Sequence, residues 1–306
     1  VLRCVRVPIL ATVGDEMKAV RSAPWKRRSF LDFSLPFTST SGTSAKNWCG
    51  TSIVCALTIA VLTMLRRSLL FKTSPGKFNV LSYSLYGEDP RYLQGALANA
   101  RLYKHVFPGW RMRVYYDNTA PLNVIDYLRA VGVELLNMTG SDLNPMTWRF
   151  LAASDESVLR VCSRDIDSRL IYREFQAVSE WQQQSAYGVH IIRDHPSHTQ
   201  DRCVMPGGMW CAQHGILRNM DHLIDAYNRN KGYNADQEFL ATIVWPQVKH
   251  QAMQHVSFEC STHTNSRTLL PRVGMEHVGA VYLDGELRES DLELLRSAIS
   301  DGLECS

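Results

Sequence analysis

The chain has 306 residues, 45% of them hydrophobic and 21% charged, with a formal net charge of +3. That is apolar material for one large or two small packed domains, and it excludes disorder over most of the length. So small a positive surplus gives no reason to expect nucleic acid as a partner, and the basic residues are better read as local partners for phosphate.

Residues 1–47 read as a disordered or basic segment, with Lys26-Arg27-Arg28 and a Ser/Thr tract at 38–44. Residues 48–65 are an uncharged run of 18, at the lower limit for a membrane span and diluted by Thr51, Ser52, Thr58 and Thr63. Together with the residues up to 72 they form a candidate signal anchor and stem. Positive charges flank both ends, so the run does not set its own orientation. The expectation is a single-pass membrane protein of the secretory pathway, facing the Golgi lumen. Translation starting at Met64 would remove the run and leave a soluble cytoplasmic chain.

From Lys77 onward short apolar runs alternate with helical patterns, as in a parallel sheet built from βα units. Phe78 to Leu85 is the first expected strand, followed by a helix through Leu93, Leu97, Ala100 and Phe107. Met112 to Tyr116 and Val133 to Met138 are the next strands, with a helix over Val124 to Val131 between them. A helix carrying Trp148, Arg149 and Leu151 leads into a buried strand ending near Arg164. Ile171, Phe175 and Val178 recur at helical spacing after it. Strands are expected near 188–193, 203–206 and 252–258, with a helix through Met220, Leu223, Ile224 and Tyr227 and another opening at Asp236. The folded domain is expected over 73–284, with an acidic amphipathic helix or tail at 285–306 that offers packing and no chemistry. Eight Cys are present, none spaced C-x-x-C. Buried thiols are the favoured reading, with one bridge such as Cys203–Cys211 as the alternative in an oxidising lumen, so cysteine does not set the compartment.

Neither G-x-G-x-x-G nor G-x-x-x-x-G-K-[ST] occurs, so a dinucleotide fold or P-loop is not supported and any ligand phosphate must be held differently. Asp165 and Asp167 supply the alternative. At the carboxyl end of an extended strand, residues i and i+2 share a face and can present two carboxylates to one divalent cation. Open parallel sheets place their ligands at that end.

The βα half, the strand ending in Asp-x-Asp and a second half rich in Gly, Trp and acidic residues resemble the GT-A glycosyltransferases. Ser82 to Gly87, Met146 to Phe150, Arg164 to Arg169, Arg193 to Pro196 and Gly207 to Trp210 look more closely like a family of nucleotide-diphospho-sugar transferases, over about 78–283. The resemblance implies an α/β fold with a GT-A-like open, mainly parallel sheet flanked by helices. It implies transfer of a sugar from a UDP- or GDP-linked donor to a glycan or other hydroxyl acceptor. It assigns Mn2+ or Mg2+ to Asp165 and Asp167, with His255 as the candidate third ligand and His263 and His277 as competitors. The H-x-x-G-x-x-K-P-W pattern of glycogenin-like members is absent. On the donor side it points to Tyr83, Tyr86, Asp117, Arg149, Arg164, His195 and His198, although Tyr83 fits a core position equally well. On the acceptor side it points to Gly207, Gly208 and Trp210, with a plain turn before a buried Trp as the rival. Asp236 is expected to face the acceptor as a base beside Gln237, or to serve only as a first-turn acid of its helix.

Two other readings stay open on sequence. One is a haloacid-dehalogenase-like phosphatase with Asp165 as nucleophile and Asp167 as acid/base, although three strands precede the pair here. The other is a non-catalytic carbohydrate-binding or scaffold protein on a degenerate transferase fold.

Overall fold

The structure is a computed structural model and describes residues 76–199, 203–227, 232 and 234–305. The basic segment and the 48–65 candidate anchor lie outside these residues. Within them no helix is long and apolar enough to cross a membrane.

Strand β1 (Phe78–Leu85), helix α1 (Pro90–Val106), β2 (Arg111–Tyr116), α2 (Leu122–Ala130) and β3 (Glu134–Asn137) follow the expected alternation. A 3₁₀ stretch, Pro145–Ser154, stands where a helix carrying Arg149 is expected, and leads into β4 (Val158–Arg164) and α3 (Tyr172–Gln182). Then come β5 (Val189–Arg193), β6 (Met209–Gln213), α4 (Met220–Tyr227) and α5 (Ala235–Phe239), which continues through a π turn, Leu240–Val244, into α6 (Trp245–Val248). Strands β7 (Ala252–Val256) and β8 (Ser266–Thr268), the hairpin β9 (Tyr282–Leu283) and β10 (Glu286–Leu287), and α7 (Glu289–Ser300) complete the described elements.

The large sheet has eight strands in the order β3-β2-β1-β4-β6-β5-β7-β8. Every pairing is parallel except those of β6, which runs antiparallel to both β4 and β5. Both faces are covered, so the central strands are buried along their carboxyl-terminal halves. On β1, Leu81, Tyr83 and Leu85 pack under α1, α2 and α3, while Val80 faces the layer built from Phe150, Trp210, Phe239 and Val244.

The strand expected at 203–206 is displaced to Met209–Gln213. Pro206 and the Gly207-Gly208 turn keep the chain at the edge where β5 ended, and Met209 N–H donates to the Pro206 carbonyl at 3.0 Å. Re-entering the sheet from that edge, β6 must run antiparallel. This carries the glycine pair up to the carboxyl ends of β1 and β4.

Helix α1 fixes the acid turn that follows β4. Asp89 caps it by accepting from Arg91 N–H at 2.9 Å, and Pro90 opens its first turn. At Gly95 the helix approaches the acid turn so closely that a Cβ would lie 1.9 Å from the Ile166 carbonyl oxygen. The fully buried Asn99 then donates to the carbonyls of Ile166 and Ser168 at 3.3 and 2.8 Å and accepts from Leu170 N–H at 3.1 Å.

The C-terminal segment expected at 285–306 carries the helix α7 and packs with the other described residues. The expected boundary at 284/285 falls inside the β9–β10 hairpin, and Tyr282 N–H donates to the Asp167 carbonyl at 3.2 Å. Fully buried Asp194 ties the same segment down, accepting from Arg173, Arg272, Ser257 and Val278 N–H. A Cys260–Cys305 disulfide closes it over a separation of 45 residues, worth about 4 kcal/mol in a chain-entropy account. The second disulfide joins Cys162 to Cys211, direct neighbours in the β4–β6 register. The favoured reading of buried thiols therefore does not hold for Cys162 and Cys211, the alternative Cys203–Cys211 pairing is not formed, and Cys203 is the free thiol among the described residues.

Asn99→Ala leaves three backbone groups of the acid turn unpaired, and is expected to cost about 3 kcal/mol in chemical denaturation. Unchanged stability in the folded variant would contradict the clamp.

Burial holds His190, His195, His198, His255 and His263 below the ordinary imidazole value and pushes His277 down to about 4. The unfolded chain takes up protons first, so the stability these six carry is present above the unfolded value of about 6.5 and is lost as pH falls through it. Asp167, Glu174 and Asp236 are raised by burial and lean the other way, but only down to the ordinary carboxylate range. The melting temperature is expected to fall between about pH 7.5 and 5. A flat or rising profile in calorimetry would refute this assignment.

Candidate active site

The acid turn sits where β4 ends. Asp165, Ile166 and Asp167 form a turn rather than continued strand, closed by Ser168 Oγ donating to the Asp165 carbonyl at 2.8 Å. Buried Ile166 points into the α1 side of the core, and the two flanking carboxylates line a cleft of about 270 Å³.

The second wall is the 3₁₀ stretch. Ser82 and Ser84, alternate residues on one face of β1, hold its backbone: Ser82 Oγ donates to the Arg149 carbonyl at 2.6 Å and Ser84 Oγ accepts from Arg149 N–H at 3.1 Å. The Arg149 guanidinium then reaches Asp165 Oδ1 at 3.0 Å with one Nη and Asp236 Oδ2 at 2.7 Å with the other. Asp236 lies in the first turn of α5 after Asn234, which takes the left-handed conformation at φ 67°. Burial raises the Asp236 carboxyl, Arg149 opposes the rise and Asp165 adds to it. Asp167 is raised first by burial and then by Asp165, with Arg91 opposing at 3.6 Å.

The glycine pair presses on this centre. A Cβ at Gly208 would lie 2.1 Å from Asp165 Oδ2, and one at Gly207 would lie 2.5 Å from Gln237 Nε2 and 2.7 Å from Arg149 Nη2. Ser163 Oγ fixes the loop by donating to the Gly207 carbonyl at 2.7 Å. These glycines are needed for close approach to the site's own side chains.

Of the residues expected from sequence, Asp165, Asp167, Arg149, Tyr86, Asp236 and Gln237 line one cleft. Others do not, and each has a physical reason. Tyr83 points into the α1 side of the core, where burial raises its phenol far above the ordinary value. Arg164 is buried in an ion pair with Glu174 of α3. Trp210 packs on Phe150 in the opposite layer, so it is a core residue and not an acceptor platform. His195 stacks on His277 at 4.7 Å and contacts the Asp291 carbonyl at 2.9 Å, with His198 beside them under the C-terminal segment. Asp117 accepts from Thr119 N–H at 3.0 Å in the turn after β2. His255 lies within β7, its ring nitrogens at 2.7 Å from His190 and 3.1 Å from Glu180, so it is not a third ligand beside the acid turn.

Arg91, Tyr92, Asn234 and Arg288 also line the cleft and were not expected. Arg91 and Tyr92 open the helix that follows the first strand, a placement that alone could have nominated them. Arg288 carries no local signal.

Among the described residues no group of three or more His, Cys, Asp or Glu is placed to hold a metal ion. The acid turn offers two carboxylates. That set suits Mg2+ or Mn2+ when water and substrate phosphates complete the shell, and it does not suit a fully protein-ligated site.

No family model matches the sequence, nor does any curated protein. Several solved glycosyltransferases are similar in structure. One, involved in glycosylation of the major capsid of the virus PBCV-1, is 12% identical with a TM-score of 0.38, over 59% of this chain and 81% of its own. The mannosyltransferase PcManGT from Pyrobaculum calidifontis, solved with GDP-Man and Mn2+, is 12% identical with a TM-score of 0.40, over 70% of this chain and 67% of its own. TarS of S. aureus is 15% identical with a TM-score of 0.36, over 53% of each chain.

Proposed function

We propose that this cleft binds the diphosphate of a nucleotide sugar and transfers the sugar to a hydroxyl acceptor. The observation that carries the reading is the charge balance. Asp165, Asp167 and Asp236 face Arg91, Arg149 and Arg288, and Arg288 is already paired with Asp291 at 2.8 Å. A diphosphate entering this cleft meets donors but no net positive charge, so it needs a cation to accompany it.

Asp165 and Asp167 would hold that cation, Mn2+ or Mg2+, which when bound offsets the charge developing on the departing nucleoside diphosphate. The chain's own part is positioning. Arg149 and Arg91, now on the carboxylates, are within the same cleft as the phosphates and would donate to their oxygens. Tyr86 and Tyr92 shape the wall on the β1 side. Asp236, buried and raised, would accept the proton of the acceptor hydroxyl, with Gln237 fixing that hydroxyl by a hydrogen bond. The two disulfides support a location in an oxidising compartment, the lumen of the secretory pathway.

Calorimetric titration of UDP and GDP into the full chain, with and without Mn2+, tests the donor site. Binding of one nucleotide that needs Mn2+ and disappears in Asp165→Asn/Asp167→Asn is expected. No binding of either by well-folded protein would sink the assignment. Once a donor is known, Asp236→Asn is expected to keep nucleotide affinity within about threefold and to lower kcat by about 10²–10⁴. Loss of affinity with kcat intact would move Asp236 from the chemistry to donor binding.

A further inference from the structure

A second cavity, of about 400 Å³, opens at the carboxyl end of β5, between the 203–204 segment and the loop after β7. Arg193 forms its floor. The side chain is almost completely buried and enters no ion pair with a carboxylate among the described residues. Its described partners are neutral oxygens: Gln254 Oε1 at 2.6 Å and the Val204 carbonyl. Gln254 is itself held by donating to the Thr264 carbonyl at 2.7 Å, so the guanidinium is fixed from behind. A guanidinium carries five N–H donors, so this arrangement leaves capacity unspent.

Burial pushes the Arg193 guanidinium down to about 10, with Cys203 opposing, as expected for a charge removed from water with no carboxylate counter-ion among the described residues. His263 lines the same cavity, and its Nε2 is shielded from solvent with no hydrogen-bond partner among the described residues. Glu259 stands at the mouth, exposed, on a left-handed residue at φ 54°, and makes no ion pair with Arg193. A buried cation that meets only neutral oxygens among the described residues, beside an orphaned ring nitrogen, is costly unless something negative completes it.

We propose that this cavity is a binding site for an oxyanion group, the carboxylate or sulfate ester of a small acidic ligand. Arg193 supplies the charged fork and His263 a second donor. Thr199, Thr262 and Trp245 supply the hydroxyl and aromatic walls that suit a sugar ring carrying the anion. The site is distinct from the acid cleft and does not depend on the reaction there. Cavities of this size accommodate a single small organic ligand.

Cys203 borders the cavity and gives a local readout. Its alkylation by a neutral reagent, followed by mass spectrometry of the Cys203 peptide in the full chain, is measured with glucuronate, with sulfate and with glucose. Glucuronate or sulfate is expected to slow the reaction about fivefold or more and to raise the melting temperature, while glucose does neither. Protection by glucuronate alone assigns a sugar carboxylate, and protection by sulfate alone or by both assigns a general oxyanion site. Arg193→Gln is expected to abolish protection. Should that variant not fold, His263→Ala, at a half-buried position, is expected to weaken it about fivefold. Equal alkylation rates with every additive, or protection undiminished in a folded Arg193→Gln or His263→Ala protein, would overturn the proposal.

Discussion

The candidate site depends on one guanidinium shared between two carboxylates. Arg149 joins the end of β4 to the start of α5, bringing together residues 71 apart in sequence, Asp165 and Asp236. Without a cation between them these acids would repel each other in a place where water screens poorly. With it, they stand on opposite sides of a single cleft. The surrounding features serve that placement: Ser82 and Ser84 grip the Arg149 backbone, Gly207 and Gly208 leave room for its neighbours, and Asn99 holds the turn bearing the other acids. Rigid support of this kind is what a site needs to keep charged groups at fixed distances rather than letting them collapse or drift.

Much of this was legible from local patterns. The Asp-x-Asp, the strand before it and the helix after it are short-range signals, as are the first βα units. The strand residues that sequence misplaced share one cause. In a sheet covered on both faces, consecutive strand residues are all buried, so period-2 reading does not say which face a polar or aromatic side chain takes. Tyr83 and Arg164 went to the α1 and α3 layer, although each is adjacent in sequence to a residue that lines the cleft, and Trp210 went to the other layer. The histidines failed for a related reason. His190, His255, His195, His198 and His277 find one another or backbone carbonyls across large sequence separations, and no spacing along the chain announces those pairings.

The antiparallel β6 shows how a small local feature redirects a larger one. An apolar run near 203 reads as a strand, but Pro206 and two glycines delay entry into the sheet until Met209. The delay delivers the glycine pair to Asp165 instead of leaving it in a distant loop. The same edge carries both cavities, one balanced in charge and one whose guanidinium meets no carboxylate among the described residues, so the two are suited to different ligands.

The hairpin contact from Tyr282 to the Asp167 carbonyl also bears on the order of assembly. The acid turn is made by residues near mid-chain, yet its Asp167 carbonyl, which also accepts from Arg169, gains its backbone donor only when a segment more than a hundred residues later arrives. Such distant closure is slow compared with helix or hairpin formation. During synthesis the βα half can therefore pack around α1 while the cleft stays incomplete, its last wall waiting for the hairpin and Arg288. Competence of the site is set by the latest-made part of the fold, and the carboxylates are not assembled into a working arrangement before the protein around them is nearly finished.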